Sequence, residues 1–199
     1  MKIAITGTIA AGKTTVAILF KRRGFPVFNA DQYAKRALYQ GSKCYDQIIE
    51  TFGKDVIADS GDIDAKKLAH IVFEDNEKRL LLNQIVHPFV LEGMQKFFFS
   101  QKDSPILFAE IPLLYETGWD TYFDQTIVVT CSQQVAIQRM MEDRGYTKQE
   151  AISRLDMQIP ASIQVDKADI VIYNDTDLQE LNHKVNQVLA KIRKDQRHG

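Results

Sequence analysis

The chemically most specific segment of the chain is Gly-Thr-Ile-Ala-Ala-Gly-Lys-Thr at residues 7–14, a complete G-x-x-x-x-G-K-T pattern. In such a loop the backbone N–H groups surround a polyphosphate, and the following helix presents the positive end of its dipole to the same anion. We expect Lys13 to reach the β and γ phosphates of ATP and the Thr14 hydroxyl to ligand Mg²⁺. The pattern therefore predicts a nucleotide site whose further contacts are Ala10, Ala11, Gly12 and Thr15.

The elements on either side of this loop are the ones that it requires. Residues 2–6 form a short apolar run typical of a buried strand, and residues 14–23 carry apolar side chains at helical spacing. An ordinary glycine-containing turn is the alternative interpretation. A full pattern between a strand and a helix favours the phosphate loop.

Two carboxylates follow or end predicted strands. Asp31 comes after the strand predicted over residues 25–28, and Glu110 ends the strand predicted over residues 105–110. The carboxyl ends of parallel strands line the ligand crevice, so Asp31 is placed to orient or deprotonate an acceptor hydroxyl, and Glu110 to hold Mg²⁺ through water or to contact the acceptor. The alternatives are a helix cap for Asp31 and a strand-end carboxylate paired with a cation for Glu110.

Strands alternate with helices along the chain, which predicts an α/β fold. We expect a P-loop kinase-type parallel sheet of about five strands flanked by helices, in a single domain over residues 1–199. The core is predicted at about residues 1–31, 102–132 and 165–199, a helical substrate-binding insertion at about 32–101, and a helical lid at about 133–164. The helices are predicted over residues 33–39, 45–52, 65–74, 76–99, 133–144, 148–158 and 178–194.

Composition excludes several classes of function. The formal net charge is −1 and the chain has no long Lys/Arg run, so binding to nucleic acid or to a membrane surface through bulk charge is not expected. Cys44 and Cys131 are far apart and have no C-x-x-C partner, which favours a reduced, cytoplasmic setting. No segment reaches transmembrane length, and none indicates an obligate protein partner.

A phosphate loop alone does not define the reaction, because kinases, ATPases and GTPase switches share it. The chain lacks the D-x-x-G and N-K-x-D patterns of GTPases, and its helical insertion and basic lid favour a small-molecule kinase. Two alternatives stay open. One is a kinase for another small hydroxylated substrate, such as a nucleoside monophosphate, and the other is a nucleotide-gated binding or assembly protein.

The order of several further blocks resembles the dephospho-CoA kinase family from one end of the chain to the other. Those blocks, with the phosphate loop, are Val27-Phe28-Asn29-Ala30-Asp31, Ile85-Val86-His87-Pro88-x-Val90, Ile111-Pro112-Leu113-Leu114-Tyr115-Glu116, Gln138-Arg139, Arg154-x-x-x-Gln158-x-Pro160 and Ala168-Asp169-x-Val171-Ile172-x-Asn174. The resemblance implies transfer of the ATP γ-phosphate to the ribose 3′-hydroxyl of dephospho-CoA, the last step of coenzyme A synthesis.

The resemblance also implies roles for residues outside the loop. Dephospho-CoA would be bound by Thr6, Asp31, His87, Glu110 and Leu113, and ATP by Arg139, Arg144 and Asn174 beside the loop residues. Catalysis is implied for Asp31, Lys13 and Arg139.

For four of these residues a structural role is the alternative: a hydrogen-bonded core histidine at His87, a salt-bridged helix face at Arg139 and Arg144, and a turn residue at Asn174. The chain departs from the family pattern at Glu110, where Asp is usual, at Gln164, where Lys is common, and at Arg144, which is shifted by one place.

Overall fold

The computed structural model describes residues 1–73 and 75–196, and the chain divides into two compact units. The sheet unit consists of Met1–Phe28 and Gln101–Gly199, and the helical unit is Asn29–Ser100. The described α-helices, numbered along the chain, are α1 (Lys13–Arg22), α2 (Ala30–Ala34), α3 (Tyr45–Phe52), α4 (Ala65–Phe73), α5 (Asn76–Ser100), α6 (Gln133–Arg144), α7 (Lys148–Asp156), α8 (Ala161–Asp166) and α9 (Leu178–Asp195).

The strands are β1 (Lys2–Gly7), β2 (Val27–Asn29), β3 (Leu107–Glu110), β4 (Gln125–Thr130) and β5 (Ile170–Tyr173). They form one sheet in the order β2-β3-β1-β4-β5. Strand β1 pairs in parallel with β3 and β4, and β4 pairs in parallel with β5. The carboxyl ends of these strands therefore meet at one edge of the sheet, and the predicted α/β class with a five-stranded parallel sheet is confirmed.

Helices cover the sheet because its short strands are apolar on both faces. Ile3 and Ile5 of β1 are fully buried, and the Phe20 ring of α1 stacks on Phe108 of β3 with 4.0 Å between ring centroids. Helix α9 buries one apolar face, which includes Val185, and its N-terminus is capped by the Asp177 side chain. This core fixes the strand ends that carry the predicted site residues.

The lid segment, residues 133–164, contains three helices. The Ser132 side chain accepts a hydrogen bond from Val135 N at the start of α6, and Thr147 and Glu150 form a capping box at the start of α7. The helix predicted over residues 148–158 corresponds to α7, which ends at Asp156, and the additional helix α8 after Pro160 was not predicted. Proline lacks a backbone N–H, which a helix interior needs and a helix start does not.

The helical unit surrounds a second, smaller core, and the longest of its helices is α5, with Pro88 inside it. The core side chains are Ala37, Cys44, Ile48, Val56, Ile63 and Leu68. The helix predicted over residues 33–39 is instead α2 followed by a 3₁₀ turn at Lys35–Leu38. Position 74, which the helix predicted over residues 65–74 includes, lies outside the described residues.

Candidate functional site

The phosphate loop joins the end of β1 to the start of α1 and has an unusual backbone. Gly7, Ala10 and Gly12 have φ values of 137°, 59° and 94°, and alternation of this kind turns successive N–H groups inward. At Gly7 an added Cβ would lie 1.8 Å from the Val129 carbonyl oxygen, so the loop can leave the sheet here only without a side chain. The geometry is that of an anion-binding concavity.

The Lys13 ammonium is held in place by the loop itself. Its Nζ donates to the carbonyl oxygens of Gly7 and Thr8, at 2.9 and 2.8 Å. The first turn of α1 contains no acidic side chain, so neither a fixed carboxylate in that turn nor the helix dipole opposes an anion here. Together the ammonium and the helix N-terminus place positive charge where the sequence predicts polyphosphate.

Thr14 and Glu110 contact each other across the start of α1 and the end of β3. The Thr14 hydroxyl donates to Glu110 Oε1 at 2.6 Å, and Glu110 is only 4% exposed. A hydroxyl and a carboxylate are hard oxygen donors that suit Mg²⁺, which usually keeps several waters and takes its other ligands from substrate phosphates. The described residues contain no group of three or more His, Cys, Asp or Glu side chains that could hold a metal ion.

Asn174 supports the second half of the loop from the end of β5. Its Nδ2 donates to the Ala11 carbonyl oxygen at 2.8 Å, and its backbone N–H donates to the Thr130 carbonyl oxygen at 2.7 Å. The residue is 5% exposed. Its side-chain amide thus donates to the loop, and the contact with ATP that the resemblance implies for Asn174 stays a prediction.

Side chains of the lid segment contact the first half of the loop. Arg139, half-buried on α6, donates from Nη1 to the Ala10 carbonyl oxygen at 3.3 Å, whereas Arg144 is exposed in the last turn of α6. The Gln158 amide oxygen accepts a hydrogen bond from Ile9 N at 2.7 Å. No role was predicted for Gln158, although it belongs to one of the quoted blocks.

Gln164, where the family commonly has lysine, is buried and its Nε2 donates to the Ile159 carbonyl oxygen at 2.9 Å. This bond stabilises the turn between α7 and α8, in which Gln158 lies. The side chain at position 164 therefore supports the backbone of the lid segment.

A cavity of about 370 Å³ lies between the loop and the lid segment. Thr8 lines it, and the Thr8 hydroxyl is buried with no hydrogen-bond partner in the part of the chain that the structure describes. Cys131 lines it too, and burial raises the pKa of this thiol, against the opposing effect of the Arg139 and Lys13 charges. This cavity was not predicted, because the residues that line it come from three segments that are distant in the sequence.

The remaining predicted contacts of the sheet unit differ in accessibility. Thr6 is 1% exposed, and its hydroxyl lies 3.4 Å from the Pro112 carbonyl oxygen, to which it donates. Leu113, which follows directly, is 40% exposed, unlike the fully buried Leu114. Thr15 lies in the first turn of α1, next to Thr14. Thr6 thus supports the segment that presents Leu113.

Asp31 and His87 belong to the helical unit. Asp31 is exposed in the first turn of α2, and the alternative that it caps this helix was wrong, because the Asn29 side chain accepts from Gln32 N at 2.7 Å. His87 is half-buried on α5, and burial lowers the pKa of its imidazole below the ordinary value of 6.5. Both residues keep their predicted substrate roles as predictions.

Known proteins are similar to this chain over nearly its whole length. The sequence model of the dephospho-CoA kinase family matches residues 1–180. A dephospho-CoA kinase of Bacillus licheniformis is 40% identical over 193 residues, which are 94% of this chain and 94% of the relative. Among solved structures, a Thermus thermophilus protein matches with a TM-score of 0.82 at 32% identity, over 96% of this chain and 97% of that one. The dephospho-CoA kinase of Campylobacter jejuni matches with a TM-score of 0.74 at 27% identity, over 98% and 100% of the two chains.

Proposed function

The chain belongs to the dephospho-CoA kinase family, and from that premise we propose which of its side chains carry out each part of the phosphoryl transfer. The enzyme is an ATP-dependent phosphotransferase, and its family catalyses the last step of coenzyme A biosynthesis. One observation supports the proposal most directly. A phosphate loop with a fixed ammonium lies beside a Thr14–Glu110 pair of oxygen donors at the carboxyl edge of the sheet.

On the ATP side, the loop N–H groups and the N-terminus of α1 bind the β and γ phosphates. Lys13 stabilises the negative charge that develops between them, because it is preorganised at that position. Arg139 adds a second cation from the lid segment. Thr14 and Glu110 would hold Mg²⁺, which would neutralise phosphate charge when bound.

On the acceptor side, Asp31 accepts a hydrogen bond from the ribose 3′-hydroxyl and orients it toward the γ-phosphate. A loose transition state needs little deprotonation, so orientation is the larger part of this role. The exposed Leu113 contacts the acceptor, Thr6 positions Leu113 through Pro112, and His87 contributes to acceptor binding in its neutral form.

The helical unit, in this proposal, is the substrate-binding insertion of a single catalytic domain, and the lid segment closes over ATP. The enzyme acts without an obligate protein partner. A cytoplasmic location is supported by the two cysteines, both of which are free thiols. None of the described helices is both long and apolar enough to cross a membrane.

A coupled ADP assay with a panel of acceptors tests the function. We expect ADP release that depends on dephospho-CoA, with stoichiometric formation of coenzyme A, and no comparable rate with AMP or gluconate. Stimulation by AMP alone would favour a nucleoside monophosphate kinase. ADP release that no acceptor stimulates would favour a nucleotide-gated assembly protein.

A further inference from the structure

Ala10 has the least favourable backbone conformation in the phosphate loop. Its φ of 59° lies in the left-handed region, and within residues 1–73 and 75–196 it is the one non-glycine residue with positive φ. An L side chain disfavours this region because Cβ approaches the following carbonyl oxygen, whereas glycine has no such restriction. The loop itself supplies one hydrogen bond across this turn, from Ala11 N–H to the Thr8 carbonyl oxygen at 3.3 Å, so contacts from outside the loop add to what holds Ala10 in this form.

Two side chains of the lid segment bond the backbone of the Ile9–Ala10 turn. The N–H of the preceding residue, Ile9, donates to Gln158 Oε1 at 2.7 Å, and the carbonyl oxygen of Ala10 itself accepts from Arg139 at 3.3 Å. The first of these is the shorter, and it comes from a neutral side chain. Gln158 lies between α7 and α8, where the bond from Gln164 to Ile159 steadies the backbone.

We infer that Gln158 is a positioning residue for ATP, which acts by holding the Ile9–Ala10 turn in its left-handed, phosphate-binding form. The Gln158 atom that contacts the loop is an acceptor oxygen, which suits a backbone N–H and does not suit a phosphate oxygen. Gln158 thus works through the loop. This inference requires only that the loop binds ATP, so it does not depend on the identity of the acceptor.

Loss of the Gln158 bond should change the affinity for ATP and leave the turnover at saturating ATP nearly unchanged. Without the Gln158 bond, a smaller fraction of the free enzyme has its loop in the phosphate-binding form. The apparent affinity for ATP falls in proportion to that fraction. Once ATP is bound, the phosphates themselves order the loop, so turnover at saturating ATP should change little. Replacing Ala10 by glycine removes the strain that Gln158 offsets.

The test is a double-mutant cycle that combines Gln158→Ala with Ala10→Gly. Equilibrium binding of ATP and steady-state kinetics are measured for all four proteins, at a temperature where circular dichroism shows each to be folded. In the Ala10 background, Gln158→Ala should weaken ATP binding roughly 3- to 10-fold, the size of one neutral hydrogen bond. In the Ala10→Gly background the same change should cost less than about twofold, since the strain is gone.

Gln133→Ala is the matched control, because Gln133 is an exposed glutamine that lines the same cavity and contacts no part of the loop in the hydrogen bonds described. It should leave ATP binding unchanged. An equal loss in both backgrounds would overturn the inference and make Gln158 a direct ligand of ATP. Unchanged or tighter binding in Gln158→Ala would also overturn it, the latter by showing that Gln158 blocks the loop.

Discussion

The sheet unit and the helical unit position their predicted site residues in different ways. In the sheet unit each polar site residue that stands at a strand end or in the loop is tied to backbone or to another site residue, as Lys13, Thr14 and Asn174 are. In the helical unit Asp31 is exposed on a helix of five residues, and His87 is half-buried one residue before a proline inside α5. The polyphosphate of ATP is the same in every turnover and suits a rigid frame. In our proposal the acceptor is recognised by Asp31 and His87 of the helical unit, whose core is the smaller of the two, and by Leu113 of the sheet unit.

The largest effect should come from the helical unit. We expect Asp31→Asn to lower kcat roughly 10²- to 10⁴-fold if the carboxylate is a general base, and less if it only orients the hydroxyl. ATP affinity should hardly change, because the ATP ligands lie in the sheet unit. Asp46→Asn, an exposed aspartate on α3 of the same unit, is the control. Loss of ATP binding with a normal kcat would show that Asp31 acts in nucleotide binding and not on the acceptor hydroxyl.

Lys13→Ala should lower kcat roughly 10²- to 10³-fold, because it removes a preorganised cation from the charge that develops between phosphates. The fold should survive, because the carbonyl oxygens to which the Lys13 ammonium donates, those of Gly7 and Thr8, belong to the loop. Steady-state kinetics and a thermal melt check both points, with the exposed Lys21→Ala on α1 as control. Turnover within about threefold of wild type would mean that the rigid loop does not work by placing this charge.

The two arginines of α6 should differ by a smaller factor. They are five residues apart, about 140° around the helix axis, so both cannot point at one phosphate. Arg139 is half-buried and donates a hydrogen bond to the loop. Arg144 is exposed at the end of α6, where the helix dipole alone favours a positively charged side chain. Arg139→Ala should therefore lower kcat/KM for ATP about 10-fold more than Arg144→Ala does. A larger loss of kcat/KM in Arg144→Ala would show that Arg144, and not Arg139, is the arginine of the lid segment that contacts the phosphates.

His87 should produce the smallest of these effects, and its effect on stability can be measured apart from acceptor binding. Because burial lowers the pKa of His87 in the folded chain, protonation favours the unfolded chain. The stabilisation is complete above the ordinary pKa of 6.5 and is lost as the pH falls from that value toward the lower folded pKa. Urea unfolding across this range should show a steeper loss for wild type than for His87→Gln, and parallel behaviour above pH 6.5. Parallel curves throughout would show that burial does not perturb this imidazole.

The elements that could be predicted from the sequence are those specified by residues close together in the chain. The strand predicted over residues 2–6 lies within β1 and the helix predicted over residues 133–144 coincides with α6, because an apolar strand and a capped helix carry local signals. The phosphate loop is equally local. The contacts that hold it are not: Gln158 and Asn174 lie 149 and 163 residues from the loop residues that they contact. No pattern in one sequence specifies such partners.

Local signals also failed where one residue type permits two structures. No helix was predicted after Pro160, and in the structure Pro160 occupies the N-cap position of α8. Asp31 was offered as a cap, and the Asn29 side chain fills that place, since either type can accept the bond. Which one does so depends on where the strand before it ends.

The missing side chain at position 7 has a consequence for how the gene can vary. Every single-base missense change in a glycine codon introduces a residue with a Cβ, and here that atom would lie 1.8 Å from the oxygen of Val129 in β4. The obstacle is a main-chain atom in the centre of the sheet, which no choice of rotamer can move. The codon for residue 7 is therefore closed to every missense change, while that for the exposed Leu113 is constrained only by the substrate it faces in our proposal.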